Sequence, residues 1–237
     1  RFKDASDFTF IFVGNVDVEK MKPVIAEYLG ALPAVNRKET FKDNKIEMRQ
    51  GIYKNEFTKQ QETPKASVFA FYNGDCKYDL RNNLLLSMTS QILDLVYTEK
   101  VREDEGGTYG VYVGGNLAKY PKENAFLQII FETAPEKKDE LMEIIFAEAA
   151  NLAKNGPSEA NLNKVKEYML KKHKEDLKEN SYWLGNIDEY LFTGVDMMKD
   201  YENMVNSITT KDIQKFADEL LKQKNEVEVT MVSPERK

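Results

Sequence analysis

A chain of 237 residues, 41% of them hydrophobic, is long enough for one large or two small domains around a buried core. Its 34 Lys and Arg are interleaved with 40 Asp and Glu for a formal net charge of −6, which argues against nucleic acid as a partner, since such binders gather their cations on one face. One cysteine, Cys76, excludes an intrachain disulfide and a thiolate-rich metal site, and no stretch approaches the roughly 20 uncharged apolar residues that span a bilayer.

Arg1-Phe2-Lys3 runs almost directly into a strand and lacks the pattern of a signal peptide, so the start reads as a cut inside a longer polypeptide. Phe8-Thr9-Phe10-Ile11-Phe12-Val13 is a β-branched and aromatic run closed by Gly14-Asn15, which predicts a buried strand and a turn. Asp17 then caps a helix over residues 18–29, Gly30 stands at its C-terminal end, and Leu32-Pro33 leaves it. Residues 34–50 are polar with few apolar anchors and read as a linker.

Strands follow at residues 52–57 and 66–72, the second closed by Asn73-Gly74-Asp75. Leu85, Met88, Ile92, Leu95 and Val96 recur at helical spacing and predict a long helix over residues 80–101. Gly106-Gly107 breaks it. Residues 108–113 and 125–131 read as neighbouring strands, with Gly114-Gly115 and Tyr120-Pro121 in the connection. Pro135 suits the first turn of a helix striped by Leu141, Ile144, Ile145, Ala149 and Leu152 and ended by Gly156. Ser158 caps the next, with Leu162, Val165 and Met169 inward; residues 182–208 are mostly helical with a break at Thr193-Gly194. Thr209 or Thr210 caps a last helix, and residues 227–232 form a closing strand. Strands followed by massed helices imply an α+β fold, one mixed sheet with helices packed on one face. The chain ends in a capped helix and a strand; if every repeat of a larger protein ended so, the run at residues 8–13 would belong to the end of a preceding repeat.

The inventory of reactive groups is short. His173 is the only histidine, which removes any two-histidine zinc motif, and its place at the edge of an apolar stripe reads as structural. Gly106-Gly107 and Gly114-Gly115 lack the helix N-terminus that a phosphate loop requires. The acidic run Glu103-Asp104-Glu105 and the Lys171-Lys172-His173-Lys174 cluster read as solvated faces. Arg102 and Tyr109, seven residues apart across Gly106-Gly107, can reach one end of the sheet, where a guanidinium and a phenol suit the carbonyl oxygens of an extended peptide. From spacing alone, an Arg capping helix carbonyls beside a core Tyr is the favoured explanation.

That Arg, glycine step and Tyr resemble the C-terminal signature of the pitrilysin/insulinase zinc peptidases, the inverzincins. Phe12-Val13-Gly14-Asn15-Val16-Asp17 with its trailing Leu32-Pro33, Gly156-Pro157-Ser158-Glu159-Ala160-Asn161-Leu162, and Ile208-Thr209-Thr210-Lys211-Asp212-Ile213 are similar, in order, to further elements of that family. The resemblance implies homologous α+β repeats in two halves around a chamber, with residues 1–33 ending the preceding repeat, 34–50 a linker, and 51–237 the C-terminal substrate-binding domain. It implies a parent that hydrolyses peptide bonds with zinc held by a His-x-x-Glu-His helix outside this chain. Arg102 and Tyr109 match the pair that holds the substrate backbone; Gly106-Gly107-Thr108 departs from the hydrophobic-glycine step usual before the Tyr. The partners implied are a peptide or unfolded polypeptide substrate and the N-terminal catalytic half, in a periplasmic or cell-envelope setting. By itself the fragment would carry neither metal nor catalytic residues. The rival readings are a scaffold or partner subunit of the same fold, and an unrelated α+β binding domain.

Overall fold

The structure is a computed structural model that describes residues 3–38, 40, 42–100 and 108–234, the side chains of Thr108 and Tyr109 excepted. The chain divides into two compact units, Arg1–Ile46 with Lys172–Met197, and Glu47–Lys171 with Met198–Lys237.

The larger unit contains the sheet. Its strands are β1 Ile52–Thr58, β2 Ala66–Asp75, β3 Thr108–Ala118, β4 Asn124–Thr133 and β5 Glu226–Val232, in the order β1-β5-β2-β4-β3. The last strand in sequence lies inside the sheet, parallel to β1 and antiparallel to β2, whereas β2, β4 and β3 form an antiparallel succession. The sheet is therefore mixed and mainly antiparallel, as the order of sequence elements implies.

Among the described residues the α-helices are α1 Val18–Tyr28, α2 Leu80–Tyr97, α3 Lys138–Asn155, α4 Glu159–Asp176, α5 Asn180–Thr193, α6 Tyr201–Ser207 and α7 Thr210–Lys222. Their starts are set by local chemistry. Asp79 accepts from the Asn82 amide at 2.9 Å, Ser158 from Asn161 at 3.1 Å, and Thr209 and Asp212 cap each other's backbone at the head of α7. At the other end of α3, Gly156 has φ 75°, a conformation that costs glycine nothing.

One face of the sheet carries the core. Val68, Ala70 and Tyr72 of β2 stand in register with Phe131, Ile129 and Leu127 of β4, and all six are buried. Against them α2 brings Leu84, Met88 and Ile92, while Leu141, Ile145, Ala149 and Leu152 of α3 form the predicted stripe. Each fully buried aliphatic side chain contributes about 1.5–3 kcal/mol. The other face is half-buried: Phe69 lies between Ile130 and Val229, and Phe71 stacks on Phe126 at 5.4 Å.

Two glycine-bearing segments depart from the sequence reading. Asn73-Gly74-Asp75 continues β2 instead of closing it, because the Gln223 side chain folds over Gly74 and exchanges hydrogen bonds with the Asp75 backbone, at 2.7 Å to its N–H and 3.1 Å from its carbonyl. Gly114-Gly115 lies within β3 and not in the connection after it. A Cβ on Gly115 would stand 2.7 Å from Leu86 Cγ, so glycine here lets α2 approach the strand.

In the smaller unit Asp4 is a buried knot. Its Oδ1 accepts from Ser6 N–H, the Ser6 hydroxyl and the Val35 amide, and its Oδ2 from the Arg37 amide. The run at residues 8–13, expected as a buried strand, pairs with no strand among the described residues, and Phe8, Phe10 and Phe12 are 37%, 45% and 49% exposed. The sequence carries strand chemistry there, but among the described residues no strand of the sheet receives it.

Candidate functional site

The Arg102 and Tyr109 reading points to the connection between α2 and β3. Residues 101–107 lie outside the described residues, and Arg102 and Gly106-Gly107 with them; of Tyr109 only the backbone is described.

On the helix side, the Tyr97 hydroxyl donates to the Ile145 carbonyl at 2.9 Å, and burial pushes its phenol well above the ordinary tyrosine range. One turn on, Lys100 pairs with Glu148 at 2.5 Å. These two contacts tie the end of α2 to α3 and fix the point from which the chain departs towards Arg102. Beside them a cleft of about 240 Å³ opens between α2, α3 and the head of α4, lined by Val96, Lys100, Glu148, Asn151, Pro157 and Ser158 among others.

On the strand side, β3 begins with Thr108 opposite Thr133 and resumes with Val111 opposite Phe131. Three steps along β3 therefore face two along β4, which places a bulge at Tyr109 and Gly110, at the head of an edge strand. Bulges of this kind re-aim side chains at sheet rims. Glu132 is the β4 residue across from the bulge; its carboxylate accepts from Lys65 Nζ at 2.6 Å and Ser67 Oγ at 2.9 Å, and the lysine hydrogen bond holds it below the ordinary carboxylate range. Neither the bulge nor this polar rim is visible in the sequence, because both follow from strand register.

The groups that could hold a metal are engaged elsewhere. His173 is buried, with Nδ1 3.0 Å from the Tyr182 hydroxyl. Cys76 lines a hollow of about 190 Å³ with Lys77, Glu219 and Gln223, and burial, with nearby Asp79 adding, pushes its thiol up to about 11. It is a thiol at neutral pH and a poor metal ligand in that form. Among the described residues no three of His, Cys, Asp and Glu are placed to hold a metal ion. They do not fit a zinc site. No helix among the described residues is long and apolar enough to cross a membrane.

The arrangement suits binding. An edge strand offers main-chain groups to an extended peptide, and a bulge beside a polar rim can orient side chains towards it.

The family model described as the peptidase M16 inactive domain matches residues 1–169. A zinc protease PQQL-like protein of Arabidopsis thaliana is 25% identical over 202 residues, 78% of this chain but 21% of that protein. The periplasmic protease PqqL of Escherichia coli superposes with a TM-score of 0.75 at 17% identity, over 93% of this chain and 25% of that one. A protease of Helicobacter pylori does so with a TM-score of 0.78 at 17% identity, over 92% of this chain and 54% of that one. The chain thus spans about a fifth of the curated relative it matches and a quarter to a half of these solved structures.

Proposed function

The chain belongs to the peptidase M16 inactive-domain family, and from that premise we propose that it is the part of a zinc peptidase that holds the substrate and not the metal. The observation that carries the reading is the bulge at Tyr109 and Gly110, at the head of an edge strand and directly after the connection that contains Arg102.

In this reading the substrate is a peptide or an unfolded polypeptide, taken in extended form. The Arg102 guanidinium donates to its carbonyl oxygens, and the Tyr109 hydroxyl donates to the oxygen that gains charge as the bond is attacked. Zinc, held by residues of an N-terminal catalytic half outside this chain, supplies the Lewis acid and the activated water. The isolated chain hydrolyses nothing. A periplasmic setting is supported by the E. coli neighbour, itself a periplasmic protease.

The test is made in the longer protein. Tyr109→Phe is expected to lower kcat for a peptide substrate by about 10²–10³-fold, the cost of one lost oxyanion donor, with an unchanged thermal unfolding midpoint. Arg102→Ala is expected to raise KM as well. Unchanged turnover in both variants removes the assigned roles and leaves the chain a scaffold.

A further inference from the structure

The two edges of the sheet are built differently. At one, β3 carries the bulge at Tyr109 and Gly110, with Gly114-Gly115 beyond it. At the other, β1 is a regular strand of seven residues without bulge, glycine or proline, paired residue for residue with β5. Every residue of β1 except Tyr53 is exposed.

The ladder to β5 fixes which main-chain groups are left over. The Gly51 carbonyl accepts from the Glu226 amide at 3.2 Å, and the Lys59 amide donates to the Val232 carbonyl at 3.0 Å. Alternate residues of a strand turn their N–H and C=O to opposite sides, so the odd-numbered residues face β5, and Ile52, Lys54, Glu56 and Thr58 face outward. Among the described residues nothing pairs with the amides and carbonyls of those four.

Charges on an edge usually repel another strand. On β1 they are ordered so that the strand matches a copy of itself. Turned end for end about Asn55, Ile52-Tyr53-Lys54-Asn55-Glu56-Phe57-Thr58 sets Lys54 opposite Glu56, Tyr53 opposite Phe57 and Ile52 opposite Thr58. The hydrogen bonds permit the same register, because it places outward-facing residues opposite outward-facing ones. Centring on Lys54 or on Glu56 instead would oppose like charges, which destabilises a cross-strand pair. Lys54 lies 2.8 Å from Glu228, and Lys138 lies 2.6 Å from Glu56. Pairing therefore continues a row of alternating sign: Glu228, Lys54, then Glu56 and Lys138 of the second copy. On the opposite side of the sheet, Phe57, 43% exposed, gains Tyr53 as an aromatic neighbour.

We infer that β1 is a self-association edge: two copies of the chain pair antiparallel through β1, about a two-fold axis at Asn55, and join their sheets. A substrate of variable sequence has no use for this order of charges, whereas a second copy supplies its complement. The inference does not draw on Arg102 or Tyr109, and it stands or falls apart from the substrate reading.

The experiment is made on the longer protein that contains this chain. Asn55→Cys places two thiols at a non-hydrogen-bonded cross-strand position, where Cα atoms stand about 4.5 Å apart, within disulfide reach. Mild oxidation is expected to give a dimer in which mass spectrometry finds the residue-55 peptide joined to itself. Tyr53→Cys and Phe57→Cys are each expected to link poorly alone, and to link 53 to 57 when mixed. Glu56→Lys, which opposes two lysines, is expected to weaken the dimer about tenfold in sedimentation equilibrium, with the fold intact by circular dichroism. A folded Asn55→Cys protein that forms no such link overturns the proposal, and so do equal yields from all three positions, which mean collision without register. Slow exchange of the Lys54 and Glu56 amides in a monomer overturns it in favour of another segment of the longer protein. Protection that appears only when a peptide substrate is added overturns it in favour of substrate.

Discussion

Gly115 of β3 and Leu86 of α2 meet so closely that a Cβ on the glycine would stand 2.7 Å from the leucine Cγ, with Leu86 only 2% exposed. Nothing can yield there except the packing of helix on strand. Gly115→Ala is expected to destabilise the fold by about 1–3 kcal/mol, the usual cost of overpacking a core. Its neighbour is a control: a Cβ on Gly114 meets the hydroxyl end of Tyr112, a 57% exposed side chain that can swing away. Gly114→Ala should stay within about 0.5 kcal/mol. Urea unfolding of both variants checks the contrast, and equal costs would refute it.

Lys54 Nζ lies 2.8 Å from Glu228 Oε2, on the helix-covered side of the β1 and β5 pair, where Glu228 is 7% exposed and Lys54 extends to solvent. Lys54→Met leaves a buried carboxylate without its donor and should cost about 1–3 kcal/mol at neutral pH. In a Glu228→Gln background the same change should cost less, which a double-mutant cycle measures. The hydrogen bond to Glu228 raises the Lys54 pKa, so the contribution is complete below the unfolded value of about 10.4 and is lost as pH rises through the higher folded value. Additive single costs would show that the pair is not coupled.

The Asp4 knot makes an acid-sensitive joint inside the smaller unit. The Ser6 hydroxyl, then the Val35 N–H, hold its carboxyl at about 2. A folded pKa below the unfolded value of about 3.9 means that the contribution is present above about pH 4 and fades as pH falls towards 2. Exchange protection of the Val35 and Arg37 amides should fall across that window. In Asp4→Asn the protection should be weaker throughout and lack that pH step. A wild-type profile without the step would contradict the assignment.

Zinc should not remain with the isolated chain. After dialysis against a metal-free buffer, elemental analysis is expected to find far less than one zinc per chain, because the imidazole of His173 faces Tyr182 and the Cys76 thiol is protonated. One equivalent retained through dialysis would mean a site that includes residues outside those described.

Much of the fold was legible in the residues because its signals are local. A helix start needs a side-chain oxygen within three residues of the amide that it caps, as at Asp17, Ser158 and Thr209, and the stripe from Leu141 to Leu152 reports one helical face. The resemblance carried by residues 12–17 with Leu32-Pro33, 102–109, 156–162 and 208–213 pointed to the family, and the match over residues 1–169 shows it. Strand character at residues 8–13 was equally plain, yet its burial was not: propensity belongs to the segment, while burial needs a sheet to pack against, and among the described residues no strand pairs with it.

Tertiary structure alone decided the rest. No local pattern says that the last strand enters the sheet between the first two, since that pairing joins residues from opposite ends of the larger unit. Nor could Gly114-Gly115 be told from a turn without Leu86, which lies far away in sequence and presses on the strand. The same holds for Tyr109: its residue type and spacing are written in the chain, but the bulge on which it stands exists only in the register of β3 against β4. Composition and spacing are properties of neighbours along the chain, and register, burial and close approach are properties of neighbours in space.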